Sequence, residues 1–412
     1  MCKLKVATIG FGGRGRSITN GFLHHSDEDE FVACVEPVDE VRNKCIEDFG
    51  ISEDMAFTNY DDFFAKGLIA DILIIATMDV LHYDPVMKAM ELGYKNIILE
   101  KPIALSLEEC KDVVYTAEKL GVNMAICHVL RYDPFFRRLK EVIDSGVIGE
   151  VKTIHHIEGA GFMNYVHSFV RGHMSNTEIS APFVIQKTCH DFDLFVFLTG
   201  KKFKRVSSFG SLSWFKEENA PKGAGTRCVV DCKCKDECIY DAERMYGNDK
   251  GSFISAILRE SGYADLDTCL RTTDYGRCVY RCNNDVCDNQ VVNIEFDDNT
   301  TGSLTISGFD SGRRMSISGV KGRIEAHLHK MTIMVEEHAT GKVTEINVRA
   351  EMGDALNHSK QDVLMARSFL DVIKNNAPAV SSVLDSLESH LGCFAAEMSR
   401  LEGRMIDIDS LR

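Results

Sequence analysis

The stretch Lys5 to Gly15, read K-V-A-T-I-G-F-G-G-R-G, narrows the possible folds of this chain more than any other. Val6, Ala7, Thr8 and Ile9 form a short apolar run without proline, suited to one buried parallel strand. Gly10, Gly12 and Gly15 then satisfy G-x-G-x-x-G, and a helix-compatible run follows from Arg16 to His24. The first glycine permits a tight strand-to-helix turn, the second lets backbone approach a pyrophosphate, and the third lets helix pack close on strand. A helix start offers unpaired N–H groups and a positive dipole end to phosphates. A chain with 31 glycines can produce the pattern by chance, so the weight falls on Glu36. It closes a second strand-like run, Glu30 to Val35, about 20 residues past the last glycine, where a carboxylate can accept from an adenosine ribose. The same carboxylate repels a ribose 2′-phosphate, which favours NAD; Arg42, one helix turn further, keeps NADP open as the lesser choice. Arg14 and Arg16 either flank the pyrophosphate or are solvated residues of the helix start.

The first third of the chain continues to alternate. A helix over Val38 to Phe49 precedes an apolar strand, Asp71 to Thr77, and a helix from about His82 to Leu92 precedes the strand Asn96 to Glu100. Ser106 and Glu109 form a capping box that opens a helix to Leu120. Asn123 to Val129 is one more strand, and Pro134 to Ser145 a helix stopped by Gly146. Repeated β-α-β units imply an N-terminal Rossmann-type, doubly wound parallel sheet. Ligands of such sheets lie outside the carboxyl ends of the strands, here Gly10, Glu36, Thr77, Glu100-Lys101-Pro102 and Arg131-Tyr132. After Gly149 the runs at 150–159, 290–296, 302–307, 315–318, 331–336 and 343–348 alternate or are β-branched, which predicts a largely antiparallel open sheet in a C-terminal α/β domain. Helices are expected from Ser180 to Leu198, Lys360 to Asn375 and Asp385 to Glu402. The domains are therefore 1–130, cofactor-binding, and 131–412, substrate-binding and oligomerising, with a Cys-rich insert around 228–287.

At 412 residues there is chain enough for two cores, and 44% hydrophobic with 26% charged residues reads as ordinary globular protein. No apolar run approaches a membrane span, and the first strand begins so near Met1 that no signal peptide is expected. Fifteen scattered cysteines, an odd number, point to a reducing cytoplasm. A formal charge of −15 speaks against nucleic acid and anionic membranes as partners, leaving a small molecule.

The order of motifs resembles the Gfo/Idh/MocA oxidoreductase family, the relatives of glucose–fructose oxidoreductase and inositol dehydrogenase. The matching stretches are I-G-F-G-G-R-G, A-T-M-D-V-L-H (Ala76 to His82), I-L-E-K-P-I-A-L (Ile98 to Leu105), L-R-Y-D-P (Leu130 to Pro134), S-G-V-I-G-E-V (Ser145 to Val151) and C-H-D-F-D-L (Cys189 to Leu194). The resemblance implies cofactor contacts from Gly10, Gly12, Gly13, Arg14, Gly15, Glu36, Thr77, His82, Glu100 and Lys101. It makes Lys101 the ammonium that reaches between nicotinamide and substrate, and His190 the general acid/base. An ammonium favours loss of the hydroxyl proton, and neutral imidazole can accept it near working pH. Asp193, three residues on, is expected to orient the His190 ring. Where many members carry Asp four residues before the histidine, this chain has Gln186, with Lys187 beside it; both are expected at the substrate. Arg131, Tyr132, Asn164, His167, Arg171 and His358 are further polar candidates for a polyhydroxylated ring.

The activity so implied is NAD-dependent hydride transfer from a secondary hydroxyl of a sugar, sugar derivative or cyclitol, by a homodimer or homotetramer joined through the C-terminal sheet. Two rivals share the same residues: NAD-assisted glycoside cleavage by transient oxidation and elimination, and a non-catalytic protein that only reads NAD. Separately, Cys228, Cys232, Cys234 and Cys238 fall within eleven residues, dense enough to ligate zinc or an iron–sulfur cluster, or to be free thiols in a loop-rich insert.

Overall fold

Six parallel strands make the first sheet: β1 (Leu4–Ile9), β2 (Asp29–Val35), β3 (Ala56–Phe57), β4 (Ile72–Ile75), β5 (Asn96–Leu99) and β6 (Asn123–Ile126), in the order β3-β2-β1-β4-β5-β6. The computed structural model describes residues 3–23, 28–249, 252–353 and 360–412; His358 lies outside them. The I-L-I-I run of β4 is buried along its whole length because helices cover both faces of a parallel sheet. The strand order reverses between β1 and β4, which opens a crevice at their carboxyl ends. Helix α1 (Gly13–Leu23) starts at that crevice. Ser106 caps its helix as the sequence predicts, its Oγ accepting from Glu109 N–H at 3.2 Å.

The second sheet has nine strands, ordered β14-β13-β12-β11-β7-β10-β9-β8-β15. They are β7 (Val151–Ala160), β8 (Phe203–Ser211), β9 (Asn289–Phe296), β10 (Thr301–Ser307), β11 (Ser311–Gly319), β12 (Gly322–His327), β13 (Thr332–Glu337), β14 (Val343–Asn347) and β15 (Ile406–Asp407). Every pairing is antiparallel except β7 with β10. The buried residues of β9 alternate, and that face is covered by helix α2 (Cys189–Thr199), where the Phe195 and Phe296 rings lie 6.1 Å apart. Three strands of this sheet escape the sequence reading, the two-residue β15 among them because so short a strand carries no period. β8 carries a register shift between Phe203 and Arg205, which destroys its period of two, and in β12 the exposed Arg323 and Glu325 hide a short apolar series.

The helix expected from Ser180 to Leu198 is broken. A short helix, Phe183–Gln186, ends at Lys187, and α2 begins only at Cys189. At the break Thr188 has φ −96° and ψ 7°, and its Oγ donates back to Val184 O at 2.6 Å. The late helices α3 (Gln361–Asn375) and α4 (Val383–Glu402) cross back over the chain. Met365, Ala366 and Phe369 of α3 share a core with Ile18 and Phe22 of α1. The contact is so close that a Cβ on Gly21 would stand 2.7 Å from Asp362 O. Chain beyond residue 130 therefore completes the first domain's core. Among the described residues no helix is long and apolar enough to cross a membrane, and the cysteines are free thiols.

Candidate functional site

The crevice above β1 is shaped by its glycines. Gly10 has φ +85°, and a Cβ there would stand 2.6 Å from Ala76 O; at Gly15 it would stand 2.0 Å from Gly10 O. Both collisions are with backbone, so these two positions hold strand, turn and helix together. Gly12 and Gly13 are the opposite case: a Cβ on either meets nothing within 4 Å. The space before the α1 N-terminus is thus open to a ligand, with helix N–H groups at its floor. Glu36 closes one side, its carboxylate accepting from Phe11 N–H at 2.9 Å and Val38 N–H at 3.1 Å. Each oxygen has a lone pair left for a ribose hydroxyl. Arg42 donates to Glu36 O at 2.8 Å and to Asp39 Oδ1 at 2.5 Å, so its guanidinium is already engaged. Glycines, helix end and carboxylate fit a dinucleotide.

Arg14 stands elsewhere than at a pyrophosphate. It donates to Glu100 Oε1 at 2.5 Å and doubly to Asp362 at 3.0 Å, tying α1 to β5 and α3. Glu100 in turn accepts from Lys101 N–H at 2.8 Å. His82 is buried between the same loops, its Nδ1–H donating to Pro102 O at 2.6 Å and its Nε2 lying 3.2 Å from Thr77 O. Together Glu100 and His82 fix the turn that carries Lys101, which has a cis Lys101–Pro102 bond.

The Lys101 ammonium donates to Gln186 O at 2.9 Å, and the helix break just after Gln186 is what leaves that carbonyl at a helix end. It is the backbone of Gln186 that takes part, and the residue is buried. His190 lies in the first turn of α2, half-buried, with Nδ1 shielded from water and lacking a partner among the described residues. Burial, then the Lys101 charge, then His128, hold its pKa well below the usual histidine range. His190 is thus neutral at physiological pH, able to accept a proton. His128 packs edge-on against it at 5.8 Å, and His390 lies 5.7 Å beyond. His390 holds the Lys101 loop from below: its Nε2 accepts from Ile103 N–H at 3.0 Å and its Nδ1–H donates to Ser386 O at 2.7 Å. Burial chiefly, aided by His128, lowers its pKa to about 3.

A buried charge network backs the pair. Arg313 of β11 meets Asp191 Oδ1 at 2.8 Å and Glu158 Oε2 at 2.9 Å. His156 Nε2 is 2.7 Å from Asp191 Oδ1, and Lys187 Nζ is 3.8 Å from Glu158 Oε1. Burial and Asp191 raise the Glu158 pKa; burial would raise Asp191 too, but Arg313 and His156 outweigh it. Burial lowers Lys187 against the pull of Glu158. His128, His156, Glu158, Asp191, Arg313 and His390 were not anticipated. His128 follows β6 directly and could have joined the strand-end residues, whereas His390 is 287 positions from its partner Ile103.

Several expected site residues face elsewhere. Asp193 does not orient His190: it is wholly buried and holds Arg131 through two 2.8 Å hydrogen bonds, Nε to Oδ2 and Nη2 to Oδ1. From Asp193 to His190 is three residues, but the deeper face of α2 turns the carboxylate towards the first domain. Arg131 is correspondingly buried, and Tyr132 packs on Ser368 of α3. His167 stacks on Tyr275 at 5.0 Å and lies near Tyr246, both in the Cys-rich insert, and Arg171 donates to Tyr240 O and Arg277 O of the same insert. Asn164 donates to Ala160 O at 3.2 Å. These residues hold insert and domains together, a role that sequence spacing does not distinguish from ligand contact.

Residues 4–128 match the family model described as "Oxidoreductase family, NAD-binding Rossmann fold", and residues 140–389 match "Oxidoreductase family, C-terminal alpha/beta domain". The chain is 25% identical over 265 residues to YteT of Bacillus subtilis (strain 168), named as an oxidoreductase, covering 62% of this chain and 60% of that protein. It is 31% identical over 145 residues to scyllo-inositol 2-dehydrogenase (NAD(+)) of the same organism, covering 34% of this chain and 39% of that one. The chain thus spans less than two thirds of the length of these curated relatives. Among solved structures, levoglucosan dehydrogenase in complex with NADH and levoglucosan shares the fold with a TM-score of 0.70 and 15% identity, covering 99% of this chain and 100% of that one.

Proposed function

The chain belongs to the Gfo/Idh/MocA oxidoreductase family, and we propose that it is a dehydrogenase that uses NAD to oxidise a secondary hydroxyl of a sugar, sugar derivative or cyclitol. The observation that carries the reading is the Lys101 ammonium, held by Gln186 O, within electrostatic reach of a neutral, shielded His190 at the carboxyl ends of a dinucleotide-type sheet. NAD, when bound, supplies the hydride acceptor. Lys101, held by Gln186 O and by the Glu100 and His82 clamps on its loop, hydrogen-bonds the substrate oxygen and stabilises the negative charge that grows there. His190 takes the hydroxyl proton on its imidazole; burial and Lys101 keep it unprotonated beforehand. Arg313, Glu158 and Lys187 make a rigid polar wall beside the pair, which suits a ligand with many hydroxyls.

The choice of NAD over NADP is supported by the buried Glu36 carboxylate and by Arg42 being engaged with a carbonyl and Asp39. The chemistry of the wall supports a carbohydrate or cyclitol, and the scyllo-inositol and levoglucosan enzymes among the similar proteins agree with that class. The test is turnover of a panel of sugars, anhydrosugars and cyclitols with NAD and NADP. Net NADH formation with at least one secondary alcohol is expected. Consumption of a substrate without any net NADH would replace the reading with a redox-neutral reaction, and binding of NAD with no turnover of any kind would leave only a reader of the cofactor.

A further inference from the structure

Between β8 and β9 the chain leaves the second sheet for residues 212–288, an insert whose small core is built on Ala242, Tyr246, Ile257 and Leu270. Its two Cys-bearing segments are laid side by side by a bridge between Arg227 and Arg277. Cys228 N–H donates to Gly276 O and Cys278 N–H to Thr226 O, each at 3.0 Å. The result brings Cys228, Cys232, Cys234, Cys238 and Cys278 to the wall of one small cavity, whose lining also includes Lys235, Asp241 and the Tyr240 and Tyr280 rings. Cys278, forty residues after the cluster seen in the sequence, is thus a fifth member. The sulfurs of Cys232 and Cys234 stand 3.6 Å apart. That is near the roughly 3.8 Å between two thiolates on one tetrahedral ion with bonds of about 2.3 Å. Among the described residues no three donors yet converge on a single point, so the thiols line a hollow rather than a closed cage.

A second, independent observation concerns charge. Arg171 ends the turn Val166–Arg171 that follows β7, and it is only 3% exposed. Its guanidinium donates to Arg277 O, Tyr240 O, Met245 Sδ and, at 3.5 Å, Cys228 Sγ. None of these partners is a carboxylate. A guanidinium buried without an anion is costly, and proteins almost always supply one. Here the atom it reaches is a sulfur on the wall of the thiol-lined hollow.

We propose that four of these five cysteines bind one zinc ion as thiolates, and that Arg171 is the buried cation that the negative charge of this centre neutralises. A zinc dication with four thiolates leaves two negative charges. Each ligating thiol gives its proton to solvent on binding, and no change of oxidation state is needed. The centre also explains how an insert with so small a core is held in shape, as small modules commonly need a metal or a disulfide to fold. Through Arg171, on the segment that follows β7 and its His156 and Glu158, the centre would brace the wall beside Lys187 rather than take part in hydride transfer.

The test uses the full-length protein purified without chelator and under anaerobic conditions. Zinc, iron and acid-labile sulfide are counted per chain. About one zinc per chain with no sulfide supports the proposal. About four iron with about four sulfide and a brown colour, or folded protein with less than about a tenth of a metal ion per chain, overturns it. Cys238→Ser and Cys278→Ser should lose the metal, while Cys45→Ala, a thiol of the first domain, should keep it. Arg171→Leu should lose at least half of the metal and Arg171→Lys retain it. Should the variants misfold, thiol titration of the native wild-type protein decides: the cluster thiols should be unreactive until chelator or oxidant strips the metal, then react together. Full reactivity beforehand overturns the proposal.

Discussion

Lys101→Met keeps the length of the side chain and removes its charge, and the structure says where each consequence lands. The ammonium is held at 2.9 Å by Gln186 O, and its loop is fixed independently by Glu100, His82 and His390. The substitution therefore leaves the backbone of the turn in place and NAD affinity within about threefold. Losing one preorganised donor to a developing alkoxide costs about 2.7–4 kcal/mol, a hundred- to a thousandfold in kcat. A second effect separates this role from a structural one. After burial, Lys101 is the largest influence holding His190 down, so its removal lets the histidine titrate higher. Stopped-flow NADH formation across pH reads both. The acid limb of the wild-type profile should lie below the ordinary histidine range and move up in the variant, beneath a plateau lowered at least a hundredfold. A variant within fivefold of wild type, or an unmoved limb, refutes the reasoning.

The glycines predict a contrast. Gly12→Val adds a side chain where the protein has no atom within 4 Å, so thermal stability should hold while NAD binding falls below detection by calorimetry; Gly15→Ala, whose Cβ would sit 2.0 Å from Gly10 O, should fail in stability first. Glu36→Ala removes the acceptor for the ribose hydroxyls, which should weaken NAD ten- to a hundredfold, about 1.5–3 kcal/mol, and narrow its advantage over NADP in parallel titrations. His390 titrates near 6.5 in the unfolded chain but at about 3 in the fold, so the unfolded state takes up the extra proton and stability is lost as pH falls below about 6.5. Because Glu158 and Asp193 are shifted upwards by burial and act in the opposite sense, the quantity to measure is a difference. By urea unfolding, stability should fall between pH 6 and 4 about 1.4 kcal/mol per unit more steeply in wild type than in His390→Asn. Equal slopes would contradict the burial argument.

The first domain was legible because its signals are local. The strand, the three glycines and Glu36 fall within one βαβ unit, and five of the six strands of that sheet are short runs with a helix beside them; the two-residue edge strand β3 is too short to leave a signal and escapes the reading. The second sheet was legible where alternation survived, as in β9 and β10, and lost where a bulge in β8 broke the period. Lys101 and His190 were singled out by motif, but their surroundings were not. His390 meets Ile103, and Arg313 meets Asp191, across 287 and 122 positions, and no periodicity encodes such pairings. The misplacement of Asp193 has the same origin: helical spacing gives its proximity to His190 but not that Arg131 claims its carboxylate from another element.

The most direct measurement is a single turnover with NAD-loaded protein and an oxidisable sugar or cyclitol carrying deuterium at the carbinol carbon. Deuterium should appear on the nicotinamide, with a primary isotope effect on NADH formation and an acid limb that belongs to His190. His190→Asn should abolish that limb and lower the rate at least a hundredfold, the upper contribution expected of a positioned base being about 10⁴. Label found in solvent rather than on the nicotinamide, or a His190→Asn variant with the wild-type rate and limb, would contradict the account.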